Sequence, residues 1–176
     1  MDTIGQVREI AVRAHGEQKY GDGRPYVVHL DEVEAIVREF GYDDPSTRQA
    51  AILHDILEDT NVTAKGLNDL GVSLEVIILV QFCTDEEGHN RKTRKAKTYE
   101  RWAEEKRRDP YWLPKAIRVK LADRIGNLRS CHRNNLTGLL QMYQKEKDVF
   151  KDALHLYGMA DAMWAEYDRL VGDKKA

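Results

Sequence analysis

Ala50-Ala51-Ile52-Leu53-His54-Asp55-Ile56-Leu57-Glu58-Asp59 is the stretch on which the reading of this chain turns. It sets four ionisable side chains among apolar, helix-favouring residues. Just upstream, Asp44-Pro45-Ser46-Thr47 offers an N-cap followed by proline at the first helical position. At about 100° per residue, a helix running through the stretch carries His54, Asp55, Glu58 and Asp59 on one arc. Ala50 and Ala51, one turn earlier on that arc, are small and leave room, while Leu53, Ile56 and Leu57 turn toward a core. Ionisable groups are seldom buried unless they are paired or hold a metal. The stretch is therefore either an exposed polar stripe or a site that asks for a cation, and partners elsewhere in the chain decide which.

Upstream, Met1 to Gln18 reads as a helix, with Ile4, Val7, Ile10, Ala11 and Ala14 at helical spacing and His15 and Gln18 at its end. His15 is a hydrogen-bonding strut on this reading. Lys19-Tyr20-Gly21-Asp22-Gly23-Arg24-Pro25 is a loop by its glycines and proline, and His29 sits where that loop enters a helix expected from about Leu30 to Phe40 and closed by Gly41. Alone it is a helix-start residue; beside His54 and Asp55 it becomes a third candidate ligand. Downstream, Pro114 opens a helix that runs through Lys120-Leu121-Ala122-Asp123-Arg124-Ile125-Gly126-Asn127. Asp123 and Asn127 are neighbours one turn apart. Asp123, flanked by apolar residues, is either a fourth ligand or the ion-pair partner of Lys120 or Arg124.

The remaining segments also read as helices. Thr63 caps a short one that stops at Gly71, and Ser73 caps Leu74 to Phe82. Val76-Ile77-Ile78-Leu79-Val80 could be a buried strand on periodicity alone, but with no second strand to pair with it is taken as a buried helix. After a polar loop from Thr84 to Asn90, the basic run Arg91 to Lys97 begins a helix that ends at Asp109-Pro110. The run is either a solvated helix start or an anion site, since basic residues at a helix N-terminus oppose the macrodipole. Two last helices hold Leu139, Met142, Tyr143, Val149, Phe150, Leu154 and Tyr157, and Met159, Met163, Trp164 and Leu170. The fold expected is all-α, a bundle of about eight helices forming one domain over residues 1–176.

Composition narrows the function classes. With a net charge of −2 over 176 residues, the chain lacks the basic excess of a general nucleic-acid binder. Cys83 and Cys131 form no Cys-x-x-Cys pair and outline no disulfide framework, so two free thiols in a reducing compartment are expected. No apolar run of about 18 residues and no signal-peptide pattern is present, and the cytoplasm is the expected location.

His15-x-x-Gln18, Pro25-Tyr26-x-x-His29, His54-Asp55-x-x-Glu58-Asp59 and Lys120-Leu121-Ala122-Asp123-Arg124-x-x-Asn127 follow one another at compatible spacings. Together, over roughly residues 1 to 155, they resemble the hydrolase domain of the RelA/SpoT homologues, within the HD-domain phosphohydrolases. The resemblance implies an HD-type helical bundle, and a stand-alone small alarmone hydrolase, since the remaining residues leave no room for a synthetase or regulatory domain. It assigns His29, His54, Asp55 and Asp123 to one divalent metal. The family usually carries Mn²⁺, which suits two imidazoles and two carboxylates without thiolate, with Zn²⁺, Fe²⁺ or Co²⁺ as alternatives. Such a metal acidifies water and polarises a phosphoryl oxygen. Glu58 and Asp59 match the catalytic carboxylates beside it. By the same resemblance Arg91, Arg94 and Lys95 contact phosphates, Asn127 lies near ribose and phosphate, and Tyr143 borders the site.

The implied reaction removes the 3′-pyrophosphate of guanosine tetra- or pentaphosphate, giving GDP or GTP and pyrophosphate. The implied partner is thus a small nucleotide, with neither nucleic acid nor membrane. One departure stands out: Tyr20 occupies the position where the family usually has an arginine that stacks on guanine. Tyr20 or Arg24 is the candidate for that contact here. The alternatives are an HD phosphohydrolase acting on an adenosine alarmone, the 2′-phosphate of NADPH or a nucleoside monophosphate, and a regulatory module that binds nucleotide without turnover.

Overall fold

A computed structural model describes residues 3–172 of the chain. Among these residues ten α-helices form and no strand: α1 (Ile4–His15), α2 (Tyr26–Glu39), α3 (Pro45–Leu53), α4 (Ile56–Asp59), α5 (Ala64–Asp69), α6 (Leu74–Cys83), α7 (Arg91–Arg108), α8 (Leu113–Arg133), α9 (Thr137–Leu154) and α10 (Asp161–Val171). The all-α class is as the sequence predicts. The short helix expected after Thr63 forms as α5, and the central helix divides into α3 and α4, which adds one element to those read from the sequence.

Local chemistry sets most boundaries. Thr3 closes a capping box with Gln6 at α1. Asp44 accepts from the Thr47 amide with Pro45 in the first turn of α3, Thr63 accepts from the Gly66 amide, and Ser73 from the Val76 amide. Asn90 caps α7, which stops at Asp109 in the left-handed region (φ 47) ahead of Pro110. The run from Leu74 to Cys83 is a helix, with Val76, Ile77, Leu79, Val80, Phe82 and Cys83 buried, as expected of a helix apolar on most faces.

Helix α8 is the axis of the molecule. It packs against α2, α3, α6, α9 and α10, and it buries residues on nearly every face, including the ionisable Lys120, Asp123 and Arg124. Gly126 lets α2 come close: a Cβ there would lie 3.4 Å from Ile36 Cδ1, 3.6 Å from Val33 Cγ2 and 3.9 Å from His29 Cε1. Helix α7 is mostly solvated and docks through Trp102, which is fully buried against Phe82 and Phe150 and donates its indole N–H to the Phe82 carbonyl at 2.9 Å.

Four expectations are corrected. Helix α2 begins at Tyr26, not Leu30, because Pro25 at the N-cap has a backbone angle suited to a helix start. His29 therefore lies within the first turns of the helix. Helix α1 ends at His15, where Gly16 takes φ 53, and Gln18 lies beyond it; of the expected start, Met1 and Asp2 lie outside the described residues. The central helix breaks at His54-Asp55: the His54 ring donates Nδ1–H to the Ala51 carbonyl at 2.8 Å, the acceptor a continuous helix would offer the Asp55 amide, and Asp55 adopts φ −102, ψ −2. Finally, Tyr157 is fully exposed beyond the end of α9 and Val149 is half exposed, so these two are not core, while Met159 lies before α10 rather than within it and still packs, partly buried, against the core.

Candidate metal centre and phosphate cleft

Three segments far apart in sequence deliver four donors to one point. His29 comes from the first turns of α2, His54 and Asp55 from the α3–α4 step, and Asp123 from the middle of α8. His29, His54 and Asp55 offer donor atoms that all lie within 4.8 Å of one another. Asp55 Oδ2 is 3.0 Å from His54 Nε2 and 3.8 Å from His29 Nε2. Asp123 Oδ1 is 3.5 Å from His29 Nε2 and 3.6 Å from His54 Nε2. Ligands bound at about 2.1 Å around one ion stand roughly 3.0–3.4 Å apart, so the group is close to coordinating dimensions.

Hydrogen bonding agrees with that chemistry. Because the Ala51 carbonyl can only accept, His54 carries its proton on Nδ1. That leaves the Nε2 lone pair facing carboxylate oxygens, and this buried Nε2 makes no hydrogen bond. Such a set of opposed acceptors fits a cation at their centre. Left to itself, the cluster draws a proton. Burial pushes the His54 pKa down, but Asp55 and Asp123 outweigh it and raise the pKa to about 10. Asp123 is further held by Asn127, whose amide donates to Oδ1 at 2.6 Å, and by buried Lys120, 3.1 Å from Oδ2. Burial alone would raise the Asp123 pKa, but Lys120 and the histidines hold it well below the usual range.

The donors border a cleft. Glu58, Asp59 and Asp85 line it as well, together with Arg91, Lys95, Lys120, Arg124, Tyr20, Tyr26, Asn127 and Tyr143, and acids and bases interleave: Lys120 lies against Asp123 and Lys95 against Asp85. Burial, and next the like charge of Asp85, raise the Glu58 pKa above its ordinary value. Glu58 also accepts from the Asp85 amide at 3.1 Å. Tyr26 Oη is shared between Asp55 Oδ2 (2.6 Å) and Asp59 Oδ2 (2.8 Å), and its ring stacks on His15 at 4.6 Å. His15 in turn bonds Gln18 at 2.8 Å, the strut that the sequence predicts.

Among the cations of the cleft, Glu146 of α9 is the hub for the arginines. It takes Arg91 at 3.0 Å, Arg124 at 3.2 Å and the Tyr99 hydroxyl at 3.3 Å. Arg124 is buried, its guanidinium 4.5 Å from the Tyr143 ring centroid and 4.3 Å from that of Phe150. Lys95 pairs with Asp85 at 2.7 Å. Burial, and then Lys120, lower the Lys95 pKa.

Eleven of the thirteen site residues named from the sequence meet at this cleft: the lining holds ten of them and His54 joins through its neighbours. Two do not. Arg24 pairs with Asp22 and Glu32 away from the cleft, and Arg94 lines a separate surface dip with Glu87, Gly88 and Lys97. Sequence reasoning gave no site role to Tyr26, Asp85 or Glu146 and gave Lys120 and Arg124 only as partners for Asp123. Tyr26 was legible, being one turn before His29 in the quoted motif. Glu146 stands one turn after Tyr143. Asp85 lies in a loop without periodicity and carries no such signal.

Comparison with known proteins agrees with this geometry. Residues 8–153 match the HD domain family. The chain is 32% identical over 136 residues to a mouse protein named guanosine-3′,5′-bis(diphosphate) 3′-pyrophosphohydrolase MESH1, covering 76% of this chain and 72% of that one. It is 30% identical over 156 residues to a guanosine-3′,5′-bis(diphosphate) 3′-pyrophosphohydrolase of Aquifex aeolicus, covering 89% of this chain but only 20% of that longer protein. The solved structure of a metazoan orthologue of SpoT, described as hydrolysing ppGpp, superposes with a TM-score of 0.77 at 25% identity, over 94% of this chain and 92% of the other. The HD family implies a divalent metal, and the His/Asp cluster is present to receive it. With its fold, its convergent donors and these relatives in agreement, the chain belongs to the HD-domain family, alongside the alarmone pyrophosphohydrolases.

Proposed function

We propose that residues 1–176 form one catalytic unit that hydrolyses the 3′-pyrophosphate of guanosine tetra- and pentaphosphate, giving GDP or GTP and pyrophosphate. One observation carries the reading: a His/Asp donor cluster shares one cleft with four cations, Arg91, Lys95, Lys120 and Arg124. That arrangement suits a substrate that carries several phosphate charges beside a site able to hold a divalent ion. The names of the relatives support the substrate.

In this reading His29, His54, Asp55 and Asp123 hold the metal, taken to be Mn²⁺, with Zn²⁺, Fe²⁺ or Co²⁺ as alternatives. When bound, the metal supplies Lewis acidity toward water and toward a phosphoryl oxygen. Glu58, with its raised pKa, takes a proton from the attacking water. Asp59, tethered by Tyr26, orients that water. The water oxygen bonds to phosphorus as the bond from phosphorus to the 3′ oxygen breaks, and the proton passes to the 3′ oxygen. Arg91 and Lys95 neutralise phosphate charge, and Asn127 and Tyr143 border the ribose. The protein acts on a small nucleotide in the cytoplasm; none of its described helices is long and apolar enough to cross a membrane.

The test is a panel with Mn²⁺: guanosine and adenosine 3′-pyrophosphates, NADPH and deoxynucleoside monophosphates. Rapid pyrophosphate release from the guanosine substrates is expected. Turnover confined to NADPH or monophosphates would overturn the substrate assignment.

A further inference from the structure

The ring of Tyr20 lies flat on that of His29, centroids 4.5 Å apart and planes 7° from parallel. Its hydroxyl donates to Asn127 Oδ1 at 2.5 Å, and the Asn127 amide donates to Asp123 Oδ1 at 2.6 Å. One side chain thus reaches two members of the donor cluster by different routes.

His29 needs such support. A metal-ligating histidine is normally oriented by a hydrogen bond from its second ring nitrogen. Here Nε2 faces Asp55 and Asp123, while the buried Nδ1 finds no hydrogen-bond partner among the described residues. His54 has the usual arrangement, with Nδ1 tied to the Ala51 carbonyl. What fixes the His29 ring is aromatic contact: Tyr20 on its face, and Tyr26 and His54 at steep angles, 5.7 Å and 5.2 Å away.

The loop is built to present Tyr20 there. The Tyr20 amide donates to the Arg24 carbonyl at 2.9 Å, and the Gly23 amide, at φ +84, donates to the Tyr20 carbonyl at 2.8 Å. Arg24 then clamps the loop to Asp22 and to Glu32 of α2.

We infer that Tyr20 is a positioning residue of the metal centre, replacing the missing hydrogen bond on His29 by stacking and orienting Asp123 through Asn127. It is thus committed to the protein's own donors on at least one ring face. The inference rests on the metal reading of the site but not on the identity of the nucleotide.

Mn²⁺ titrated calorimetrically into chelator-treated protein tests it, with no substrate present. Tyr20→Ala is expected to weaken Mn²⁺ binding about 10- to 100-fold, the range typical of residues that orient metal ligands. Tyr20→Phe, which keeps the stack and loses the Asn127 bond, should fall between Tyr20→Ala and the parent. Full Mn²⁺ affinity in Tyr20→Ala overturns the inference, whether accompanied by a raised KM (a nucleobase platform) or by a lowered melting temperature (a structural ring only). If Tyr20→Ala does not fold, Tyr20→Phe and Asn127→Ala carry the test: each should weaken Mn²⁺ binding, with no further loss on combining them. Undiminished affinity in both overturns it. Absence of alarmone hydrolysis by a protein that shows these metal effects would count against the proposed substrate alone.

Discussion

Tyr26 Oη stands 2.6 Å from Asp55 Oδ2, joining the first residue of α2 to the step between α3 and α4. The same oxygen reaches Asp59 Oδ2 at 2.8 Å. Tyr26→Phe removes both contacts while the ring keeps its stack on His15. A fall in kcat of about 10-fold or more is expected, with little change in melting temperature. Steady-state kinetics and a thermal melt on the same sample check it.

Asp123 and Lys120 separate metal binding from stability. Asp123→Ala should abolish metal binding and activity together, and it leaves the buried Lys120 ammonium without its nearest partner. Removing one member of a buried pair costs about 3–5 kcal/mol. Lys120→Met added to Asp123→Ala should recover much of that stability and none of the metal. Denaturant melts and metal analysis of the single and double variants provide the comparison.

Glu58→Gln should keep the metal and lose rate. It also has a signed consequence for stability. A carboxyl whose folded pKa is raised favours the folded state below its unfolded pKa, and that contribution is lost as pH rises through the folded pKa. Burial and Asp85 raise Glu58 in this way. Glu58→Gln should therefore melt at about the parent's temperature in acid and above it at alkaline pH. A constant difference across the range would contradict the assignment.

Arg91 and Arg94 sit three residues apart in the same basic run yet face different places. Arg91 lines the cleft and Arg94 the surface dip beside Gly88. Arg91→Ala is expected to raise KM about 10-fold if the side chain grips phosphate equally in ground and transition states. Arg94→Ala should leave KM near the parent value. Parallel measurements on the two variants distinguish this arrangement from a run that acts as a whole.

Gly126 tests the contact between α2 and α8. A methyl group fits at ordinary contact distance and removes a glycine from a helix interior, so Gly126→Ala should be neutral or stabilising by up to about 1 kcal/mol. Gly126→Val adds branches against Ile36, Val33 and His29 and should destabilise by about 1–3 kcal/mol. Because His29 is one of those neighbours, Mn²⁺ affinity should fall as well.

Where local chemistry decided structure, the sequence was readable. Asp44, Thr63 and Ser73 mark helix starts because each supplies an oxygen to an otherwise unpaired amide. His29, His54, Asp55 and Asp123 stood out because their residue types are costly to bury singly. What resisted reading depended on tertiary partners. The break after Leu53 follows from a side-chain bond of His54, which periodicity does not register. Arg24 and Arg94 are chemically suited to phosphate, but Asp22 and Glu32 engage the first, and the second lines a surface dip with Glu87, Gly88 and Lys97. Glu146 is an ordinary acidic residue on a solvated helix until α7 and α8 bring Arg91 and Arg124 to it.

Arg91 and Lys95 each reach the cleft already engaged, one with Glu146 and the other with Asp85. An arriving polyphosphate must displace those carboxylates, so binding is an exchange of counter-ions rather than a capture by free cations. Such a site holds its charge in check when empty and yields to a ligand that engages several cations at once. Simple anions such as sulfate would then be poor competitors, and discrimination between substrates would grow with the number of phosphates they carry.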